Sequence, residues 1–333
     1  MEHHPIFRLS NYCEVGTSHI KWNKACEDST AKGTNPVTGV SAVTLSDGAG
    51  SCKFARDGSE VTAQIALEVL LDAFDTLYVL PEPDAANYLL GSIRHRLNIR
   101  AWELGAPVEE LSATLLCAAM APDGRWLYFH VGDGIIAVCN TDGECRVVSQ
   151  YHHAIARNYT TFVTIPDTSY HIEKGQGGAA AFLLTSDGPE YLVTCEEGGL
   201  TAQAELLLQM AVFFPGERIE DEMRQLTAYF KELGMYDDAS FAILADRRPA
   251  AHVFDGMDAE LRNMIFYLPE QVNRRVEQQM HDCFALLAAH PEGVPESRMT
   301  RVLHTHNKWN TFHKLAGPLT AEAIFLSEGR YYF

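Results

Sequence analysis

The sequence predicts an α+β protein: two antiparallel sheets stacked face to face with helices outside each, an αββα sandwich, and a small, mainly helical C-terminal region. Three observations carry this expectation. Apolar runs of strand length recur between residues 6 and 245. Two pairs of segments with helical rhythm interrupt them, at 60–104 and 202–233. Between residues 112 and 149 the strand-like runs lie too close together for the crossover helices of a parallel sheet, so a doubly wound fold fits less well.

Residues 6–15 and 40–46 read as strands on either side of the segment 16–35. From 60 to 80, Val61, Ile65, Leu67, Val69, Leu70 and Phe74 make one broad helical face, which Pro81 and Pro83 end. A second helix spans 84–104, with Leu89, Leu90, Ile93, Leu97 and Ile99 facing inward. Strands follow at 112–120, 126–131, 134–140 and 145–149, with PDGR (122–125) and TDGE (141–144) as the turns of a short meander. Two more are expected at 160–165 and 179–185, joined through the loop 175–178. That loop reads GQGG without a Walker lysine, the composition of an exposed connection rather than a phosphate cradle. Helices at 202–213 and 218–233 are separated by Pro215-Gly216, and a strand at 239–245 closes the unit.

The stretch ADRRPAA marks a boundary near 246–251, giving a first domain at 1–248 and a second at 252–333. The second carries helical patterns at 257–268, 270–290 and 296–305, and its tail IFLSEGRYYF reads as a hairpin around Ser327-Glu328-Gly329, a loosely winged-helix-like order. Residues 298–314 are locally basic and include His304, His306, Trp309 and His313. The tail as a whole is not basic, so docking on the first domain or on a protein partner is expected there before nucleic acid.

With 333 residues, 47% of them hydrophobic and 21% charged, the chain can bury a core without disulfide or metal staples. A formal charge of -18 argues against general affinity for nucleic acid or anionic membranes. The eight cysteines include no CxxC pair, and Cys117 and Cys139 sit inside apolar runs, the usage of small buried hydrophobes in a reducing compartment. The opening MEHHPIFRLSNYCE lacks the pattern of a signal peptide, and no apolar stretch reaches bilayer length. A cytoplasmic protein is expected.

The chemistry is signalled by acidic residues beside strand-like runs. Glu27-Asp28 lies in the segment between the first two, Asp47-Gly48 follows 40–45, Asp133-Gly134 follows 126–131, Asp187-Gly188 follows 179–184, and Asp237-Asp238 precedes 241–244. A lone Asp-Gly is a turn signal, and Asp57-Gly58, Asp123-Gly124 and Asp142-Gly143 read as turns only. Repetition at strand ends would gather carboxylates that repel one another unless cations lie between them. The residues thus point to hard divalent metals.

These motifs, in this order, resemble the metal-dependent protein phosphatase 2C (PP2C, or PPM) family, and most closely its bacterial branch. GTSHIKWNKACEDST (16–30) is similar to the branch's opening, SDGAGS (46–51) to its Asp-Gly motif, and LYFHVGDGIIAV (127–138) to its Gly-Asp strand pair. NYTTFVT (158–164), LLTSDGPEYL (183–192) and YDDASFAIL (236–244) are similar to its later motifs. The resemblance covers about residues 8–246 and leaves out the C-terminal region.

It implies a PP2C-like sandwich and a serine/threonine phosphoprotein phosphatase using two Mg²⁺ or Mn²⁺ ions, with a weaker third in some members. A metal-activated bridging water would attack the phosphomonoester directly. By resemblance Asp47 bridges the two ions and Gly48 lends its carbonyl oxygen, Asp187 and Asp237 hold one ion, Glu27 and Asp28 lie near the other, and Asp133 relates to the third. Two departures stand out: the family's general-acid histidine is Ala49 here, and its phosphate-binding arginine is Asn23. Lys21, Lys24 and His19 are the nearby groups that could act on phosphate. A phosphorylated protein is the expected substrate. The alternatives are a catalytically weak regulatory or phospho-binding protein with the same fold, and a phosphomonoesterase for small metabolites.

Overall fold

Strand after strand alternates between two apolar environments, and this alternation builds the layers. The computed structural model describes residues 6–150, 160–195, 198–234, 236–266, 274–303 and 323–333. The chain opens with β1 (Phe7–Glu14), a short α1 (Thr17–Lys21), β2 (Asp28–Thr34) and β3 (Ser41–Asp47). Two long helices follow, α2 (Ala55–Val79) and α3 (Glu82–Leu104), then β4 (Leu115–Met120), β5 (Arg125–Val131), β6 (Ile135–Asn140) and β7 (Cys145–Gln150). Next come β8 (His171–Gln176), β9 (Ala179–Thr185), α4 (Glu190–Val193), α5 (Ala202–Phe213), α6 (Gly216–Glu232) and β10 (Ala239–Asp246). One five-stranded sheet has the order β2-β3-β4-β5-β8 and the other β1-β10-β9-β6-β7, with every pairing antiparallel.

Along β4, Leu115, Cys117 and Ala119 face α2 and α3, while Leu116, Ala118 and Met120 face the other sheet. Along β10, Phe241 and Ile243 face α5 and α6, while Ala242 and Leu244 meet the first sheet. The expected helical faces are the buried ones: Leu70 and Phe74 on α2, and Leu89, Leu90, Ile93 and Leu97 on α3. Each such side chain, fully buried, contributes about 1.5–3 kcal/mol. The αββα sandwich is therefore present as expected.

Three local expectations are corrected. Residues 160–165 do not form a strand: their carbonyls at Val163 and Ile165 accept from the Arg94 guanidinium (2.7 and 2.6 Å), and β8 takes the edge beside β5. Asp57-Gly58 is no turn but lies in the first turns of α2, which begins before residue 60. Asp57 pairs there with Arg100 at 2.6 Å, and a Cβ on Gly58 would lie 2.3 Å from the Leu111 carbonyl oxygen, so glycine permits the close helix start. Within 16–35 the structure has α1 and the edge strand β2, whose polar sequence DSTAKGT gave no alternating signal.

Beyond β10 lie α7 (Ala250–Gly256), α8 (Ala259–Ile265), α9 (Arg274–Ala288), β11 (Val294–Pro295), α10 (Glu296–Val302), β12 (Phe325–Ser327) and β13 (Arg330–Tyr332). The last two form the expected hairpin, and β11 joins them in a three-stranded sheet. Residues 151–159, 267–273 and 304–322 are outside the described residues; so are the Asn158-Tyr159 start of one motif, part of the expected helices at 257–268, 270–290 and 296–305, and His304, His306, Trp309 and His313. No described helix is long and apolar enough to cross a membrane.

Among the described residues, packing continues across the change of character near residue 250. Phe213 of α5 lies 5.0 Å, ring to ring, from both Phe266 and Phe284, and Phe284 reaches Phe254 (5.6 Å) and Phe333 (5.4 Å). Phe284→Ala is expected to cost about 3–5 kcal/mol of stability. Urea denaturation checks this; a loss below 1 kcal/mol, roughly the scale of surface substitutions, would show that the phenylalanine cluster is not a shared core.

Candidate active site

Strand register brings the acidic motifs together at one end of the sandwich. β2 and β3 pair so that Asp28 stands opposite Asp47, and Asp47 is anchored by its N–H donating to Thr114 Oγ1 at 2.9 Å. Asp133 sits on the connection between β5 and β6, and Asp187 follows β9. The β10 partner loop presses against the Asp187 loop: a Cβ on Gly188 would lie 1.9 Å from the Asp238 carbonyl oxygen, so only glycine fits there. Both sheets thus supply carboxylates to a common volume.

Asp47, Asp133 and Asp187 each offer an oxygen, and these atoms lie within 4.8 Å of one another. Burial, then the charges of Asp28 and Asp187, hold Asp47 well above the usual carboxylate range. Burial pushes Asp28 up to about 6 despite hydrogen bonds from Ser240 and Ser186. Burial and the neighbouring Asp133 and Asp237 push Asp187 up to about 7. Glu27 Oε2 and Asp28 Oδ2 are buried with no hydrogen-bond partner. All-oxygen donors, mutual repulsion and orphaned buried oxygens together fit hard divalent cations.

Glu27 lies against the Asp47 loop through its carbonyl, which accepts Gly48 N–H (3.2 Å) and Ser59 Oγ–H (2.6 Å). Asp237 is close enough to Asp187 to raise it, and it accepts the Asp238 N–H at 2.9 Å. Lys24 reaches Glu27 Oε1 (3.2 Å) and the Gly50 carbonyl (3.4 Å). Lys21 instead lies over the Trp22 ring at 5.9 Å and is not among the groups contacting the carboxylates. His19 stands between two acids, 2.9 Å from Asp238 and 3.7 Å from Glu27. Asn23 occupies a left-handed turn (φ 53°), and Ala49 donates its N–H to the Ser112 carbonyl at 2.9 Å.

Sequence reasoning left Asp238 without a role. The structure gives it a large one: 3% exposed, it accepts the N–H groups of Gly16 and Glu27, both at 2.6 Å, as well as the His19 ring. It ties the chain's first acidic loop to the start of β10. The doubling of acids at 237–238 was the available signal, because one carboxylate can ligate while its neighbour organises.

Comparison with known proteins agrees with this fold. The family model described as protein phosphatase 2C matches residues 15–229. No curated protein sequence matches the chain. Among solved structures, a serine/threonine phosphatase of Staphylococcus aureus is similar with a TM-score of 0.51 at 20% identity, covering 74% of this chain and 97% of that one. A serine/threonine phosphatase of S. agalactiae gives 0.51 at 16% identity, with 72% and 99% covered. PppA of Pseudomonas aeruginosa, described as a key regulatory component of T6SS, gives 0.52 at 18% identity, with 72% and 97% covered. At these identities the likeness shows the fold.

The raised carboxylates set a pH dependence. Unfolded, Asp28 and Asp187 release their protons near 3.8; folded, they hold them to about 6 and 7. Between those values the folded state binds more protons, so stability falls as pH rises. Thermal unfolding with a chelator present should show a melting temperature declining from about pH 5 to 7.5, and added Mn²⁺ should reverse the decline. Asp187→Asn should stabilise the chelated protein at pH 7.5 by on the order of 1 kcal/mol. A pH-independent melting temperature would contradict the clustering.

Proposed function

The chain belongs to the protein phosphatase 2C family, and on that premise we propose that it is a Mg²⁺- or Mn²⁺-dependent phosphatase of phosphoserine and phosphothreonine in proteins. The observation that carries the reading is the convergence of Asp47, Asp133 and Asp187 oxygens within 4.8 Å, bordered by Asp28 and Glu27. In this reading Asp47 would hold both ions and Gly48 would lend its carbonyl oxygen, Asp187 and Asp237 would hold one ion, Glu27 and Asp28 would lie near the other, and Asp133 would relate to a weaker third. Divalent cations so held would supply positive charge for the phosphoryl oxygens and acidify a water for in-line attack.

The chain's own groups shape the rest of the site. The Lys24 ammonium, held by Glu27 and Gly50, offers a point charge to a substrate phosphate where Asn23 cannot. The Ala49 methyl has no proton to give a departing serine or threonine, so leaving-group protonation falls to water or another side chain. The described residues of 252–333 support α5 through contacts around Phe213, and Phe333 meets Arg247, which follows the last residue of β10.

The substitutions at 23 and 49 favour a second reading, a weakly catalytic phospho-binding protein. One assay separates the two, and a third arm tests small phosphorylated metabolites as substrates. With Mn²⁺ present, hydrolysis of a phosphothreonine peptide is expected, with chelation abolishing it. Asp47→Asn should lower kcat by roughly 10³-fold, the equivalent of about 4 kcal/mol of charge stabilisation, with the fold kept. Peptide binding without turnover would select the phospho-binding reading, and turnover of metabolites alone would select the phosphomonoesterase. Full activity in Asp47→Asn would refute the site.

A further inference from the structure

We propose that His19 is a nitrogen ligand to the cation on the Glu27 side of the centre, with Asp238 as the positioning residue that aims its ring. The proposal rests on the phosphatase reading for the presence of a cation, and adds a ligand and the metal class that it selects.

Hydrogen bonding fixes the ring. The Asp238 carboxylate already accepts the N–H groups of Gly16 and Glu27, and its Oδ2 lies 2.9 Å from His19 Nδ1. An acceptor there requires Nδ1 to donate, so Nε2 is the ring nitrogen left to face the site. Nε2 points at Glu27 Oε2, 3.7 Å away. That gap is too long for a direct hydrogen bond between the two atoms.

Glu27 supplies the independent observation. Its Oε1 takes Lys24, while its Oε2 is buried with no hydrogen-bond partner, as is Asp28 Oδ2 on the next residue. Two atoms bound to one cation at about 2.1 Å each lie about 3–4 Å apart, so 3.7 Å is a spacing that one ion can bridge. A carboxylate that receives one ring N–H while the other nitrogen holds a metal is the usual way a ligating histidine is fixed. Among the described residues, His19 is the imidazole that faces Glu27.

An imidazole changes which metal is favoured. Mg²⁺ prefers oxygen ligands and holds its waters, whereas Mn²⁺ accepts nitrogen more readily. The position therefore selects a transition ion over Mg²⁺.

The test uses the full chain titrated with one to two equivalents of Mn²⁺. Pulsed electron paramagnetic resonance should show ¹⁴N modulation from a bound imidazole in the wild-type protein, lost in His19→Gln. Calorimetric titrations should show Mn²⁺ affinity at one site reduced about 10–100-fold in both His19→Gln and Asp238→Asn. Mg²⁺ affinity should change less than Mn²⁺ affinity in both variants. Mn²⁺ binding to the wild-type protein without ¹⁴N modulation overturns the proposal, as does an unchanged ratio of Mn²⁺ to Mg²⁺ affinity in folded His19→Gln. Those results leave the phosphatase reading standing if chelation still abolishes hydrolysis. A wild-type protein that binds no Mn²⁺ overturns both. The spectrum of the wild-type protein needs no variant, so the proposal stays testable if His19→Gln fails to fold.

Discussion

Holding Asp28, Asp47, Asp133 and Asp187 in one small volume costs free energy, and the remaining structure has to supply it. Desolvation and like charge both oppose the arrangement, as the elevated proton affinities of Asp28 and Asp187 record. The two sheets, each covered by helices, provide the apolar burial that offsets this. Three features keep the carboxylates from relaxing apart. Asp28 and Asp47 are cross-strand partners, Gly188 admits the Asp238 carbonyl at a distance no other residue allows, and Asp238 itself fastens the first loop to the last strand.

Much of this was legible in the sequence because it follows from periodicity and repetition. The faces of α2 and α3, the tight meander and the hairpin at the end all carry strong local signals. Asp47, Asp133 and Asp187 were legible because each sits where an apolar run stops, and Asp237 because it comes just before one. What escaped was decided by long-range contacts. Residues 160–165 have the composition of a strand, yet Arg94, about 70 positions earlier, takes the carbonyls a ladder would have used. β2 escaped because an edge strand carrying site residues shows little apolar alternation. Asp57-Gly58 looked like a turn because the packing of Gly58 on Leu111 is invisible to local reading.

His19 and Asp238 illustrate the same limit within the site. They are about 220 positions apart, and neither has a meaning in isolation; the hydrogen bond between them exists only because β1 and β10 pair as neighbours. Sequence reasoning could place His19 near phosphate chemistry but could not see which atoms faced which. Geometry turns an ambiguous histidine into one whose second nitrogen has a defined direction.

β10 joins two unlike neighbourhoods. Asp238 immediately precedes its first residue among the carboxylates, while at the other end Arg247 grips the Phe333 carbonyl. Eight residues of extended chain, Ala239–Asp246, separate the two by roughly 26 Å. Every residue of that strand is buried, so it has little room to bend between its ends. Laddered to β1 on one side and β9 on the other, it therefore fixes the distance between the acidic rim and the Phe333 end of the molecule.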